Sequence, residues 1–278
     1  MFDYDIESLD IRKIADSGQT FRMSFDEERS LPDAEVFRCI SMDKMCFAGG
    51  GRVWCPDEDD AFWKNYFDLG TSYESFISAI DADDAYLSGV AEYGRGIRIL
   101  RQDPWEMLIT FIISQRRSIP SIKTCVEALC TRFGARVKGQ DGESFYAFPT
   151  PAQLAAADLS ALSCCSLGYR TEYVYLAARG VDSGDTDLKA MEALSDAELL
   201  ASLIALRGVG PKVANCVSLF GFYRIGAFPI DVWIDRVLKE HYPNGFPMDR
   251  YKGFAGVMQQ YVFFAMRGEG RGGNRRGE

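Results

Sequence analysis

The chain has 278 residues, of which 47% are hydrophobic, so it can form one large domain or two smaller ones. No run approaches the roughly 18 uninterrupted apolar residues of a membrane span, and the acidic start of the chain lacks the basic and apolar segments of a signal peptide. We therefore expect a cytoplasmic protein. The net charge of −9 argues against nucleic-acid binding only as an average, because arginines cluster at 95–101, 116–117 and 267–276 and define a local basic face.

The first part of the chain, residues 1–56, has the pattern of β-strands. Hydrophobic and polar residues alternate over 35–40, and two further short apolar runs flank the glycines at 49–51. Short alternating runs joined by glycine turns predict an antiparallel sheet. The segment 17–22 reads as a turn that leads into a strand. The sequence thus predicts an N-terminal β-rich domain at residues 1–92.

From Asp103 onward the pattern becomes helical. Asp103 and Pro104 form an N-cap and a first-turn proline, and the helix they begin is apolar on nearly every side, which predicts that it is buried. It ends at a polar cluster, Gln115, Arg116 and Arg117. Further helices are predicted at 59–68, 73–80, 122–133, 151–162, 171–179, 194–206, 211–222, 232–242 and 251–265. The expected fold class is therefore α+β, with a helical domain at 93–266 and a flexible Gly/Arg-rich tail at 267–278.

A tight connection joins two apolar helices at 206–212. Gly208 and Gly210 allow positive φ and close approach of a ligand, and Pro211 suits the first turn of the second helix. The free N–H groups at that helix start favour binding of an anion such as phosphate. Lys212 lies in the same turn, and Asp231 follows 19 residues later, immediately before another apolar-periodic run. Read in isolation, this pair is a surface lysine and an ordinary N-cap.

The cysteine and histidine content limits the chemistry. The eight cysteines include no C-x-x-C pair, and in a reducing compartment such residues are mostly small buried apolar side chains. His241 is the only histidine, which argues against a His-rich zinc site. No serine motif accompanies it to indicate Ser-His-Asp chemistry.

The segments L-x-G-V-G-x-K-V-A at 206–214 and P-I-D-V at 229–232 resemble the helix–hairpin–helix DNA glycosylase superfamily. Other segments are similar to those of 8-oxoguanine DNA glycosylases and follow the same order: S-G-Q-T-F-R at 17–22, D-P-W-E at 103–106, F-P-T-P at 148–151, L-G-Y-R at 167–170, and 256–264. The resemblance covers residues 10–266.

This resemblance implies an enzyme that excises 8-oxoguanine from double-stranded DNA and then cleaves the strand as an AP lyase. We expect it to act as a monomer with no membrane partner. Superfamily members with an iron–sulfur cluster carry four clustered cysteines after the catalytic aspartate. No cysteine follows Cys216 here, so we expect no cluster and no other cofactor.

The resemblance makes Lys212 the nucleophile that attacks C1′ of the deoxyribose and Asp231 the carboxylate that assists it. The attacking amine must be neutral, and we expect desolvation in the pocket to favour that form. The resulting Schiff base permits β-elimination of the 3′ phosphate. Asp231 would stabilise the positive charge that develops on the sugar or would help to move protons.

The resemblance also assigns the pocket for the flipped base, to which the N-terminal domain contributes. Gly18 would present its carbonyl to the hydrogen that 8-oxoguanine carries on N7, where guanine has an acceptor. Cys216 and Phe263 match the two faces between which the base stacks, and Gln259 matches the residue that bonds its Watson–Crick edge. Pro229 completes the expected substrate-binding set.

Five residues match positions that contact the DNA around the lesion. Gln115, Arg116 and Arg117 replace the Asn-rich segment that commonly fills the gap left by the flipped base and reads the opposite cytosine. Arginine can donate to cytosine O2 and N3, so that role is open to this segment. Tyr169 and Arg170 match the wedge and the cytosine-contacting residue.

The hairpin would hold a phosphate beside the lesion at Gly208 and Gly210. Trp233 replaces a histidine that some members carry two residues past the aspartate, and we expect an altered DNA contact there. In the family, hairpin carbonyls can also hold an optional structural metal ion, and the matching residues here are Ile204, Leu206 and Val209.

Two other functions are compatible with parts of the pattern. Alkylpurine DNA glycosylases share the two-domain layout and keep the aspartate but typically lack the lysine. A non-catalytic helix–hairpin–helix module would use Lys212 as a phosphate contact and Asp231 as a cap. Borohydride trapping on lesion DNA separates the first reading from both alternatives.

Overall fold

A five-stranded antiparallel sheet forms the N-terminal part of the structure, a computed structural model that describes residues 1–139 and 142–273. The strand order is β1-β5-β4-β3-β2, with the bounds β1 (Phe2–Asp3), β2 (Met23–Leu31), β3 (Ala34–Ser41), β4 (Lys44–Gly49) and β5 (Arg52–Trp54). The turn between β4 and β5 uses Gly50 and Gly51 at φ +55° and +77°, where glycine is favoured. The antiparallel sheet predicted for residues 1–56 is confirmed.

The rest of the described chain is mainly helical, which confirms the α+β fold class. The helices are α1 (Ile11–Asp16), α2 (Asp60–Tyr66), α3 (Tyr73–Ser78), α4 (Ala85–Tyr93), α5 (Pro104–Ser114), α6 (Ile119–Phe133), α7 (Pro151–Ala155), α8 (Leu159–Ser163), α9 (Arg170–Asp182), α10 (Leu188–Met191), α11 (Asp196–Ile204), α12 (Pro211–Phe220), α13 (Val232–His241) and α14 (Ala255–Gly273). A hairpin, β6 (Arg136–Lys138) and β7 (Ser144–Tyr146), follows α6.

Some elements differ from the predicted pattern. The short helices α1, α4 and α10 and the β6–β7 hairpin were not predicted, because hydrophobic periodicity is weak over so few residues. The helix predicted over 151–162 is divided by Asp158, whose backbone is extended (φ −67°, ψ 141°). The last helix runs to Gly273, and Arg267 within it donates to the Asp16 carbonyl. The predicted flexible tail at 267–278 thus begins inside a helix, and residues 274–278 lie outside the described residues.

The core of the helical part is built around α5. Its side chains from 105 to 113 are all buried, as predicted, and the helix packs against α6, α9 and α12. A second core beneath the sheet contains the aromatic side chains Trp63 and Tyr66 of α2. Tyr73 and Leu87, which the sequence places in the first domain, contribute to the helical core instead.

A buried carboxyl joins the two parts of the molecule. Glu106 on α5 accepts a hydrogen bond from the backbone N–H of Met42, in the β3–β4 turn, at 3.2 Å. Burial raises the pKa of Glu106 to about 7, while the nearby Arg22 and the Met42 N–H favour its ionised form. The contact between the sheet and α5 therefore includes a carboxyl group, Glu106, that titrates near neutral pH.

Glu106→Gln is expected to flatten the dependence of stability on pH. Between 4.5, the ordinary value, and about 7, the native Glu106 carboxyl keeps a proton that the unfolded chain has lost. Wild-type stability should therefore fall as the pH rises through this window. Urea unfolding at pH 5 and pH 8 measures the change, with the exposed Glu127→Gln as control. The same loss of stability in Glu106→Gln and wild type would contradict the expectation.

Candidate active site

A pocket lies where the α1–β2 turn meets α12, the start of α13 and α14. Its lining consists of Gly18, Phe111, Lys212, Cys216, Phe220, Pro229, Asp231, Gln259, Gln260 and Phe263. All seven residues predicted to act on the sugar or the base are therefore brought together. Phe111, Phe220 and Gln260 were not predicted. Phe220 could have been found, because it continues the helical spacing of Lys212 and Cys216 along one face.

The hairpin that precedes α12 presents Lys212. Gly210 is the N-cap of α12, and Gly208 has φ +84° and packs so closely on Tyr173 that a Cβ would overlap its ring. The Lys212 ammonium lies 5.9 Å from the centroid of the Phe111 ring. The side chain is nevertheless exposed, so the expected desolvation is not met in the free protein.

Cys216 provides a neutral, apolar face to the pocket. Burial raises the pKa of the Cys216 thiol, the positive charge of Lys212 opposes this rise, and the negative charge of Asp231 adds to it. Lys212 and Asp231 thus both lie close enough to act on the same thiol. A protonated thiol suits the predicted stacking role.

Asp231 is the N-cap of α13. Its Oδ1 accepts hydrogen bonds from the backbone N–H groups of Trp233 and Ile234, each at 3.0 Å. No hydrogen bond within the described part of the chain ends on its Oδ2. One carboxylate oxygen therefore holds the helix start, which leaves the other available to a ligand. Trp233 itself is partly buried against the helical core.

Two side chains of α14 can contact a flat ligand in the pocket, one through a hydrogen-bonding amide and the other through an aromatic ring. Gln259 is buried, and its Nε2 donates to the Pro229 carbonyl at 3.0 Å. Its Oε1 is buried without a partner among the described residues, so it can accept from the Watson–Crick donors of a purine. Phe263 is partly buried, and its Cε1 lies 3.1 Å from the position that a Cβ on Gly18 would take.

The groove beside the pocket collects most of the predicted DNA-facing residues. Its lining includes Gln115, Arg116, Tyr169, Gly208 and Gly210. Arg116 is exposed and has a left-handed backbone (φ +52°), and Tyr169 is 53% exposed. Gln115 Nε2 donates to the Gly208 carbonyl at 3.0 Å and so ties the cluster to the hairpin.

Arg117 and Arg170 are bonded to other groups of the protein, and neither lines the groove. Arg170 is only 5% exposed, and its guanidinium donates to the carbonyls of Gln115 and Leu167. The Arg117 guanidinium donates to the Ser166 carbonyl and, at 2.9 Å, to a serine hydroxyl on α6. These reciprocal bonds fasten the 115–117 loop to the 166–170 loop. Both side chains would have to leave these partners to contact a base.

The carbonyls predicted for an optional ion remain a prediction. Within the hairpin, the Leu206 carbonyl accepts the Val209 N–H at 3.0 Å, which occupies one of its lone pairs. Ile204, the last residue of α11, lies at the surface beside them.

None of the described helices is long and apolar enough to cross a membrane.

Comparison with known proteins identifies the family to which the chain belongs. A hairpin that presents a lysine and an aspartate that caps the next helix are arranged as the resemblance to helix–hairpin–helix DNA glycosylases with lyase chemistry implies. The profile of the N-terminal domain of 8-oxoguanine DNA glycosylases matches residues 1–108. The N-glycosylase/DNA lyase of Saccharomyces cerevisiae is 36% identical over 262 residues, which cover 84% of this chain and 68% of that protein. The chain therefore belongs to the 8-oxoguanine DNA N-glycosylase/DNA lyase family.

Other relatives extend the comparison. A probable N-glycosylase/DNA lyase of Methanothermobacter thermautotrophicus is 30% identical over 233 residues, 73% of each chain. The 8-oxoguanine glycosylase/lyase of Clostridium acetobutylicum, solved with double-stranded DNA containing cytosine opposite 8-oxoG, superposes with a TM-score of 0.86 at 29% identity, covering 95% of this chain and 93% of that one. A 3-methyladenine DNA-glycosylase from Archaeoglobus fulgidus, 18% identical with a TM-score of 0.71 over 96% and 97% of the two chains, shares the fold alone.

Proposed function

We propose that this protein excises 8-oxoguanine from duplex DNA and then cleaves the strand at the resulting site. The observation that carries the proposal is the meeting of Lys212, Asp231 and Gly18 in one pocket, although Gly18 is far from the other two in the chain. A nucleophile, a carboxylate and a backbone carbonyl together meet the needs of sugar chemistry and of lesion recognition.

In the proposed reaction, the neutral amine of Lys212 attacks C1′. The bond between C1′ and the base breaks, and its electron pair leaves with the base, which takes up a proton. Asp231, through the oxygen not used as a cap, stabilises the positive charge that builds on the sugar. Opening of the sugar ring gives a Schiff base on Lys212, and loss of a proton from C2′ expels the 3′ phosphate. Water finally releases the enzyme.

An excision assay over a panel of damaged duplexes tests this function. We expect single-turnover release of 8-oxoguanine and a borohydride-trapped complex with Lys212. Preference for 3-methyladenine without trapping would favour an alkylpurine glycosylase, whose fold is shared. Binding without excision would favour the non-catalytic module.

We further propose that the enzyme acts as a cytoplasmic monomer without a cofactor or membrane partner. Both reacting groups are side chains of one chain, which supports a monomer that needs no cofactor. Excision in the presence of EDTA and a sedimentation profile of one chain per DNA duplex are the expected results. The optional hairpin ion would then affect DNA affinity more than chemistry.

Gly18→Ala is expected to reduce excision of 8-oxoguanine. The new Cβ would lie 3.0 Å from Ile119 Cδ1 and 3.1 Å from Phe263 Cε1, and φ is +76°, so the turn must shift. Loss of one buried hydrogen bond costs about 1–3 kcal/mol, or roughly 5- to 150-fold in single-turnover rate. Gly184→Ala, with the same sign of φ but open space, is the matched control. Equal rates for Gly18→Ala and wild type would remove Gly18 from recognition.

Arg116→Ala is expected to weaken the preference for one base opposite the lesion. Arg116 is the exposed arginine of the groove, whereas Arg117 and Arg170 are bonded to carbonyls. A good arginine–base contact contributes about 1–3 kcal/mol of discrimination. Single-turnover excision opposite each of the four bases measures it, with Arg52→Ala, on the sheet, as control. An unchanged order and spread of the four rates would argue against Arg116 as the reader.

A further inference from the structure

Side chains of the last helix fasten the turn that carries Gly18. Gln260 Nε2 donates to the Ser17 carbonyl at 2.8 Å, and Arg267 Nη1 donates to the Asp16 carbonyl at 2.8 Å. Gln260 is 2% exposed, so water does not compete for its bond. The two residues are seven apart on α14 and therefore lie on one face of it, two turns from each other. Two consecutive carbonyls before Gly18 are thus fixed by one helix.

The residue after Gly18 is fixed as well. Gln102 Nε2 donates to the backbone carbonyl of Gln19 at 2.9 Å, and the side-chain Nε2 of Gln19 donates to the backbone carbonyl of Arg98 at 2.8 Å. Among the hydrogen bonds of the described residues, none ends on the Gly18 carbonyl. Of the four backbone carbonyls of residues 16–19, the one without a partner among the described residues is that of Gly18, which lines the pocket. A ligand that donates there pairs an acceptor to which no described group of the protein donates.

The same helix also forms the base-stacking side of the pocket. Phe263 stands between Gln260 and Arg267, and the Arg267 guanidinium carbon lies 5.7 Å from the centroid of its ring. A change in the position of α14 would therefore move the stacking face and the Gly18 turn together. The stacking face and the Gly18 turn are thus tied to one helix.

We infer that Gln260 and Arg267 are positioning residues for lesion recognition, which hold the Gly18 carbonyl ready to accept the N7 hydrogen of 8-oxoguanine. The inference rests on the proposed function. Glycine rotates easily between conformations, and a free turn could flip its peptide and present an N–H to the pocket. An N–H would bond the N7 acceptor of guanine, so discrimination would be lost. An acceptor held in place needs no ordering when the base enters.

The experiment uses Gln260→Met and Arg267→Met, which keep much of the side-chain length and remove the donors. In a Lys212→Gln background, Kd is measured for duplexes with 8-oxoguanine and with guanine at the same position. We expect each variant to lower the ratio of the two Kd values by about three- to tenfold, the effect of one hydrogen bond. With Lys212 present, single-turnover excision of 8-oxoguanine should fall by a similar factor. Arg267→Lys, which keeps a donor, should retain most of the discrimination.

Cleavage at a preformed abasic site separates positioning from general damage, because that substrate has no base to read. The rate of abasic-site cleavage by each variant should stay within about twofold of wild type, because the expected three- to tenfold loss comes from the hydrogen bond to the base, which this substrate lacks. Arg52→Met controls for the loss of one positive charge. If abasic-site cleavage falls as far as excision does, Gln260 and Arg267 merely support the fold and the inference fails.

The remaining outcomes are also distinct. Wild-type discrimination in both methionine variants would overturn the inference and leave the proposed function intact. Absence of 8-oxoguanine excision by the wild-type protein would overturn the proposed function and this inference with it. If the buried Gln260→Met variant does not fold, the partly exposed Arg267→Met carries the same test with the same readouts.

Discussion

Lys212→Gln is expected to abolish borohydride trapping and single-turnover excision while leaving lesion binding largely intact. Glutamine is similar in length to lysine but cannot form a Schiff base. Lys212 is the lysine that lines the pocket, and its ammonium lies over Phe111 at the pocket wall. We expect Kd for 8-oxoguanine DNA to stay within about tenfold of wild type, because removal of one exposed charge costs little.

Lys64→Gln is the matched control, since Lys64 is exposed on α2, pairs with Asp60 and does not line the pocket. It should trap and excise at wild-type rates. A Lys212→Gln protein that still traps at the wild-type rate would show that another amine attacks the sugar. Peptide mapping of the trapped wild-type complex locates the modified residue directly.

The exposure of Lys212 gives this prediction a further condition. The side chain of Lys212 is open to water in the free protein, and water around the amine hinders its approach to a sugar carbon. We therefore expect trapping to depend on duplex DNA that covers the pocket mouth. A free damaged nucleoside, which cannot cover the groove of Arg116 and Tyr169, should not be trapped.

Asp231→Asn is expected to slow excision by at least ~10²-fold, the range for a lost electrostatic or acid–base group. The fold should change little, because asparagine is also a good N-cap and its carbonyl can accept from Trp233 and Ile234. The substitution therefore removes the negative charge and keeps the helix start. Single-turnover rates with 8-oxoguanine DNA and thermal unfolding give the two measurements.

The chain offers a closely matched control in Asp103→Asn. Asp103 is the N-cap of α5 and accepts from the Glu106 N–H at 2.8 Å, but it does not line the pocket. Both variants lose one carboxylate and keep one cap. Equal excision rates in Asp231→Asn and Asp103→Asn would show that Asp231 serves only as the N-cap of α13. A slow Asp231→Asn beside a near-normal Asp103→Asn would assign the chemistry to the Asp231 charge.

The sequence by itself determined the features that depend on neighbours in the chain. The alternation and glycines of residues 1–56 predicted the antiparallel sheet, because a strand exposes its side chains with a period of two. The Asp103 and Asp231 caps and the glycine hairpin were predictable because each is closed by atoms a few residues away. The resemblance in these same segments pointed to the lysine and the aspartate.

Only the tertiary structure decided which distant groups meet. Nothing near Gly18 in the chain indicates that Gln260 and Arg267 hold its turn, because such bonds form only when α14 docks against the N-terminal segment. In the same way, Arg170 was predicted to contact a base, but burial turns it toward the Gln115 carbonyl. The exposure of Lys212 is also a tertiary property. The residue type sets the charge and the length of a side chain. The elements packed around it set its exposure to water and its hydrogen-bond partners.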